Sequence, residues 1–180
     1  MHASTKWLIG EIAVTGTAMG LLGAFGYPMV LPYSWHKLLH IVGAVVFLGN
    51  IIVTGAWMAL AEQTHDRKTL RFAAEAVNWA DMFFTAPGVF LLLTNGFVMA
   101  IALNGLPKFH WVLAALALFT LSGIVWVVCL IPDQHRLIAL ADEGDASFGH
   151  VLHRWYFWGI VATILPLLSL VLMVVKPALW

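Results

Sequence analysis

The chain has 180 residues, of which 62% are hydrophobic and 10% are charged, whereas a typical globular domain has about 25% charged residues. This composition excludes an ordinary soluble enzyme and is typical of an integral membrane protein. Nine basic and nine acidic residues cancel at pH 7, which excludes a basic surface for nucleic acid. The single cysteine, Cys129, excludes an intramolecular disulfide and a cysteine-ligated zinc or iron–sulfur site.

Five hydrophobic stretches are long enough to cross a bilayer, since a transmembrane helix needs about 20 mostly apolar residues. The first covers about 7–30 and contains a Gly16-xxx-Gly20 pattern, which lets another helix approach closely. The other four cover about 35–61, 81–103, 111–131 and 155–175. The sequence therefore predicts an all-α membrane bundle of five transmembrane helices. An N-terminal helix occupies 1–33, and an antiparallel four-helix membrane domain occupies 34–180.

The aromatic and basic residues predict how the chain lies in the membrane. Tryptophans stand near the ends of the spans, as in an interfacial aromatic belt: Trp7, Trp35, Trp57, Trp79, Trp111, Trp155, Trp158 and Trp180. Six basic residues fall on one side, namely Lys6, Arg67, Lys68, Arg71, Arg136 and Arg154, and three on the other, namely Lys37, Lys108 and Lys176. The positive-inside rule then predicts a multi-pass protein of a bacterial inner membrane, with a cytoplasmic N-terminus and a periplasmic C-terminus.

Two longer connections lie on the cytoplasmic side in this orientation. Segment 62–79 predicts an amphipathic helix on the membrane surface, with one apolar face formed by Leu70, Ala73, Ala74 and Val77. Segment 132–153 predicts a loop that is acidic in its middle. Asp81 is expected at a helix N-terminus, where the positive end of the helix dipole favours a carboxylate.

Polar groups at membrane depth are expensive and therefore mark candidate functional sites. His36 and His40 are four residues apart and share a helix face. A histidine at the position of His40 can ligate haem iron or another metal, transfer a proton, or hydrogen-bond a neighbouring helix. His110 and Met99 lie on the same predicted outer side. Either residue is a candidate second axial ligand, because haem iron is bound by two histidines or by a histidine and a methionine.

A second group of histidines falls on the predicted cytoplasmic side: His65, His135, His150 and His153. These residues could build a second haem site or a proton entry site, or they could form a hydrated network with the nearby arginines. The common nucleotide-binding, hydrolase and metalloprotease motifs are missing from the sequence. The sequence alone does not decide whether the protein is an enzyme.

Several motifs resemble an uncharacterised family of bacterial integral membrane proteins over about 34–177. They are Trp35-His-Lys-Leu-Leu-His40, Asn78-Trp-Ala-Asp81, Asn95-Gly96, Leu121-Ser-Gly-Ile-Val-Trp126 and Lys176-Pro177. That family is distantly similar to the HemJ-type membrane protoporphyrinogen oxidases and to CopD-type membrane domains. The oxidases share the W-x-K-x-x-H start, matched by Trp35, Lys37 and His40. Their first-helix histidine is implicated in haem b binding, so the resemblance implies this role for His40.

Two sequence differences from these oxidases determine which function we expect. Ala114 and Ala56 stand where the oxidases carry a lysine and an arginine, which disfavours a haem-synthesis oxidase. We expect instead a haem b protein that transfers electrons between a quinone and a membrane or periplasmic redox protein, with His40 and then His110 as iron ligands. The alternative is a non-catalytic accessory or assembly subunit that joins a larger respiratory-type complex through its glycine-rich first helix or its surface helix.

Overall fold

A computed structural model of the protein describes residue 10 and residues 13–17, 31–103, 109–143 and 147–179. Within these ranges the regular structure is entirely helical. Four helical stretches are long and apolar enough to cross a membrane: Tyr33–Gln63, Arg67–Ala102, His110–Ala141 and Phe148–Val175. The predicted all-α membrane bundle is confirmed. The first predicted span, about 7–30, lies mostly outside the described residues, so these four are the second to fifth predicted spans.

The helices extend well past the predicted spans. We label them α1 (Tyr33–Gln63), α2 (Arg67–Ala80), α3 (Ala86–Ala102), α4 (His110–Val125), α5 (Ile131–Glu143) and α6 (Phe148–Val175). Two π-helical segments connect them without a break, π1 (Asp81–Thr85) between α2 and α3 and π2 (Trp126–Leu130) between α4 and α5. Helix α1 alone has 31 residues, or about 46 Å at 1.5 Å per residue, against a hydrocarbon core of roughly 30 Å.

Two predictions from the sequence are corrected by this continuity. Asp81 is not at a helix N-terminus, because α2, π1 and α3 form one uninterrupted helical stretch. Segment 132–153 is not a loop, because α5 covers residues up to Glu143 and α6 begins at Phe148. Polar residues mark the end of the hydrocarbon layer rather than the end of a helix, which is why hydrophobicity alone placed these boundaries too early.

Both π-helical segments are explained by a proline that follows them. The N–H of Ala86 donates to the carbonyl of Asp81 and that of Ile131 to the carbonyl of Trp126, five residues back in each case. Pro87 and Pro132 come directly after these two donors. Proline has no N–H, and its ring clashes with the carbonyl four residues earlier. A wider π turn just before the proline accommodates both effects within a continuous helix.

The chain divides into two compact units. The first comprises Met1–Asn50 and Ala80–Phe109. In its described part, the first half of α1 packs antiparallel to π1 and α3, with the closest approach at Gly43. A Cβ atom on Gly43 would lie 2.6 Å from the backbone nitrogen of Leu92 and 2.7 Å from the carbonyl oxygen of Gly88. Only glycine allows the two backbones to come this close.

The second unit comprises Ile51–Trp79 and His110–Trp180, and its core surrounds Met58 and Leu137, which are both fully buried. The four predicted face residues of α2, namely Leu70, Ala73, Ala74 and Val77, are all buried in this core. The shared apolar face is therefore confirmed. Apolar side chains of the second unit, such as Leu137 and Leu152, cover this face, and the position of the segment on the membrane surface stays a prediction.

The aromatic belt is only partly as expected. Trp35, Trp57 and Trp79 are at least half exposed, which suits a position at the lipid–water interface. Trp155, in contrast, is only 6% exposed and belongs to the core of the second unit. Its place near the start of a hydrophobic run suggested an interfacial role, but α6 begins seven residues earlier, at Phe148.

A buried hydrogen bond between α4 and α6 compensates for a proline inside α6. Pro166 cannot donate to the carbonyl of Ala162, four residues before it. The hydroxyl of Ser122 donates to this same carbonyl at an oxygen–oxygen distance of 2.7 Å. Ser122 is only 6% exposed, so the bond is shielded from water. The serine thus supplies the donor that the proline lacks.

We expect Ser122→Ala to destabilise the protein by about 1–2 kcal/mol, because it leaves a buried carbonyl unpaired. Pro166→Ala restores an N–H to α6, so the cost of Ser122→Ala should be much smaller in that background. Reversible unfolding in mixed detergent micelles measures this coupling. Ser169→Ala is the matched control, because its acceptor, the carbonyl of Ala115 at 2.9 Å, lies in a helix segment without proline. Strict additivity of Ser122→Ala and Pro166→Ala would contradict the compensation.

Helix α2 begins with a capping carboxylate. The side chain of Asp66 accepts hydrogen bonds from the hydroxyl of Thr69 at 2.7 Å and from its backbone N–H at 3.0 Å. These bonds, first of all the one from the Thr69 hydroxyl, lower the pKa of Asp66 below its ordinary value of 3.8. A carboxyl with a lowered pKa stabilises the folded state above its unfolded pKa, and this contribution is lost as the pH falls through the folded pKa.

We therefore expect Asp66→Asn to reduce the acid sensitivity of the protein. Asparagine also caps helices, but it does not titrate. The difference in melting temperature between wild type and variant should be largest at neutral pH and should shrink as the pH falls below 3.8. Circular dichroism melts across this pH range measure the difference. A difference that stays constant with pH would show that the Asp66 carboxylate is not involved.

Candidate functional site

His40 is fixed by a backbone carbonyl across the contact between α1 and α3. Its Nδ1 lies 2.7 Å from the carbonyl oxygen of Leu92. A carbonyl only accepts hydrogen bonds, so in the neutral imidazole Nδ1 carries the proton and Nε2 keeps its lone pair. The ring is half-buried. Metal-ligating histidines are typically held in this way, with the non-ligating nitrogen donating to a carbonyl or carboxylate.

Gly96 makes room for this imidazole. A Cβ atom at Gly96 would lie 2.9 Å from Nδ1 and 3.0 Å from Cε1 of His40. Gly96 follows Leu92 by four residues, so both positions lie on the same face of α3. The carbonyl of Leu92 and the bare backbone of Gly96 together set the orientation of the ring. The sequence could not reveal the carbonyl, because every residue has one.

His36 lies one helical turn before His40 and is more deeply buried, with 4% of its surface exposed. Its Nδ1 is 2.8 Å from Oδ1 of Asn95. The amide nitrogen of Asn95 donates to the carbonyl of Leu91 at 2.8 Å, which turns the amide oxygen towards His36. His36 Nδ1 is therefore a donor as well. Asn95 is a site residue that the sequence signalled only as a polar group inside an apolar span.

A second polar cluster lies at the other end of the same helix contact. The hydroxyl of Thr85 donates to Oδ1 of Asp81 at 2.9 Å. The amide nitrogen of Asn50 lies 2.8 Å from the Thr85 hydroxyl oxygen and 3.2 Å from Oδ1 of Asp81. Asp81 and Thr85 are 6% and 2% exposed. Gly43, where the two helices come closest, lies between this cluster and the two histidines.

The two candidate second ligands belong to different units. Met99 lies in α3, half-buried, in the first unit with His36 and His40. His110 begins α4 in the second unit, and its Nδ1 is 3.2 Å from the carbonyl oxygen of Leu179. The role of either residue as a second axial ligand stays a prediction.

The histidines on the predicted cytoplasmic side belong to no metal-binding group of three or more side chains in the part of the chain that the structure describes, and a second haem site or a proton entry site there stays a prediction. His65, His150 and His153 are exposed, and His153 Nδ1 contacts the carbonyl oxygen of Gly149 in its own helix at 2.7 Å. His135 is half-buried. Across the described ranges, no three His, Cys, Asp or Glu side chains are grouped so that they could bind a metal ion.

The second unit contains a partly buried ion pair between α5 and α6. Nε of Arg154 donates to Oδ2 of Asp133 at 2.9 Å, and a second guanidinium nitrogen donates to Oδ1. Asp133 is only 2% exposed. The guanidinium that binds both carboxylate oxygens joins α6 to α5.

The described helices and their buried polar contacts define a multi-pass α-helical membrane protein. Residues 34–177 match a model of the family described as "Predicted integral membrane protein (DUF2269)", and the chain belongs to that family. The resemblance to an uncharacterised integral membrane family is thereby confirmed. The match covers the second to fifth predicted spans. No curated protein and no solved structure matches the chain.

Proposed function

We propose that the protein binds haem b through His40 and transfers electrons within the membrane. One observation carries this proposal: His40 donates Nδ1–H to the carbonyl of Leu92 beside Gly96, and this leaves Nε2 as a ligand for iron. When bound, haem supplies one-electron redox chemistry. The chain supplies the ligand, the orientation of that ligand, and apolar surroundings that tune the reduction potential.

The residues around His40 fit such a group. Imidazole suits haem iron, and haem needs only one or two protein ligands. His36 hydrogen-bonds to the Asn95 side chain, whereas His40 hydrogen-bonds to the Leu92 main chain, and His40 is the more exposed of the two. We therefore assign ligation to His40 and a supporting structural role to His36. His110 is the proposed second ligand, and Met99 is the alternative.

The proposed setting is a bacterial inner membrane with a cytoplasmic N-terminus and a periplasmic C-terminus. The excess of basic residues in the connections on one side supports this orientation. His40 then lies towards the periplasmic face. A quinone in the bilayer and a membrane or periplasmic redox protein are the proposed partners.

The test is an oxidised-minus-reduced visible spectrum of protein purified in mild detergent after expression with added haem precursor. Sharp b-type bands at one or two haems per chain are expected. A colourless but folded protein would contradict haem binding and favour an accessory subunit of a larger membrane complex. That second candidate is supported by Gly10 and Gly16, where an added Cβ would meet no described atom within 4 Å, as on a helix face open to a partner.

A further inference from the structure

We infer that the ammonium group of Lys37 binds the propionate carboxylates of the haem that we assign to His40. The inference rests on the proposed function and deepens it, because it states how the haem is turned in its site. The edge of the haem that carries the propionates faces Lys37 and the membrane surface. The contact is a salt bridge between an ammonium and a carboxylate, so no covalent bond changes and no electron is transferred.

The first argument is the position of Lys37 beside the proposed iron ligand. Lys37 precedes His40 by three residues in α1, so the two residues are neighbours on the surface of the helix. Side chains on a helix lean towards its N-terminus. The His40 ring therefore lies over the turn of α1 that contains His36 and Lys37.

The second argument is that Lys37 lies on the open side of the His40 ring. His40 stands between the other two residues around the helix axis, about 40° from His36 and about 60° from Lys37, at about 100° per residue. His36 is 4% exposed and contacts the Asn95 side chain, whereas Lys37 is exposed. His40 is half-buried. A group that reaches His40 from outside the helix pair therefore approaches on the side of Lys37.

The third argument is the cost of burying the propionates. Haem b carries these carboxylates along one edge of its ring, and an anion in the hydrocarbon layer without a partner is costly. On the deeper side of His40, the stretch 41–49 of α1 is entirely apolar. On the other side come Lys37 and then Trp35, which is 54% exposed and suits the membrane interface. The propionates are therefore best placed on the side of Lys37.

The side chain of Lys37 is suited to this contact. A lysine ammonium stands on a flexible four-carbon stem, which lies along apolar surface while the charged end reaches the interface. The buried acid of the first unit, Asp81, lies near the other end of the contact between α1 and α3, beside Asn50. A positive charge near one end and an acid near the other favour the same orientation of an anionic edge.

The test compares haem with its dimethyl ester, in which both carboxylates are capped as neutral methyl esters. Haem-free protein in mild detergent at low salt is titrated with each ligand, and visible absorption reports binding. We expect Lys37→Gln to raise the Kd for haem about 2–10-fold, as for loss of an ammonium–carboxylate pair at a partly exposed site. The Kd for the ester should stay unchanged. Lys37→Arg keeps the positive charge and should bind both ligands as the wild type does.

Lys68→Gln is the matched control. Lys68 is also an exposed lysine, and its loss changes the net charge by the same amount, but it lies at the start of α2 in the second unit. The Kd for haem should be that of the wild type in this variant. An equal rise in Lys68→Gln would show an effect of net charge alone and would contradict a contact made by Lys37.

The reduction potential of the bound haem gives a second readout. A positive charge beside the haem favours the reduced form, which has one positive charge fewer. Lys37→Gln should therefore lower the midpoint potential without moving the absorption bands, because the iron ligand is unchanged. The shift should become smaller at high salt, since the site is partly exposed.

The outcomes separate this inference from the proposed function. Wild-type protein that binds neither haem nor its ester contradicts the proposed function, and the inference is overturned with it. Wild-type protein that binds haem as tightly as Lys37→Gln does overturns the inference alone. Equal weakening of haem and ester binding in Lys37→Gln also overturns it, because the lysine would then support the fold of the site rather than the propionates.

Discussion

We expect His40→Ala to abolish the b-type absorption of the purified protein while leaving the helical content unchanged. The substitution removes the Nε2 lone pair that we assign to iron and also removes the hydrogen bond to the Leu92 carbonyl. A protein that depends on this residue for ligation loses its haem, or retains it only weakly through another ligand. The measurement is the haem-to-protein ratio with the reduced-minus-oxidised spectrum, for variants expressed side by side.

His153→Ala is the matched control for this prediction. His153 also places Nδ1 2.7 Å from a backbone carbonyl oxygen, that of Gly149, but it is exposed and bonds within its own helix. It should retain the wild-type haem content. Full haem content in folded His40→Ala protein would contradict the assignment of His40, even if the wild-type protein is coloured.

Gly96→Ala tests how His40 is positioned rather than whether it is present. The added methyl group would lie 2.9 Å from Nδ1 and 3.0 Å from Cε1 of the ring, so the ring must turn and the bond to Leu92 must lengthen. Loss of such a supporting interaction costs about 10–100-fold in metal affinity. Nitrogen NMR of labelled histidine in haem-free protein should also show the Nδ1-protonated form of His40 in wild type, and a mixture of tautomers in the variant.

The hydrophobic pattern was sufficient to predict the four described spans, because an apolar run of about 20 residues has few alternatives to a transmembrane helix. The pairing of His36 and His40 on one face also followed from their spacing alone. The amphipathic pattern of α2 correctly identified the apolar face that contains Leu70 and Val77. It could not indicate what covers that face, since lipid and protein select the same side chains.

The features of the candidate site that the sequence did not predict depend on contacts between segments that are distant in the sequence. His40 is held by a main-chain carbonyl more than fifty residues away, and no side-chain pattern records such a partner. Asn95 and Gly96 were visible as residues, but their roles follow only from the packing of α3 on α1. The helix that contains Pro87 continues through a π turn without a break, and a proline in the sequence does not by itself indicate this geometry.

Gly43, where α1 and α3 come closest, should be the position in the first unit at which a single added methyl group lowers the stability most. In Gly43→Ala the new Cβ would meet Leu92 N at 2.6 Å and Gly88 O at 2.7 Å. Both are backbone atoms, so no side-chain rotation can relieve the overlap and the helices must separate. We expect a loss of about 1–3 kcal/mol or more in the free energy of unfolding, as for overpacked cores.

Gly49→Ala, six residues further along the same helix, isolates the effect of the crossing. No described atom lies within 4 Å of a Cβ built at Gly49, so this substitution should be neutral or stabilise the helix by about 0.5–1 kcal/mol. Unfolding in mixed detergent micelles compares the two variants. Because His40 and Asn50 hydrogen-bond to the partner helix on either side of Gly43, separating the helices should also disturb both polar sites. If Gly43→Ala is as stable as Gly49→Ala, the two backbones are not in the close contact from which both sites are built.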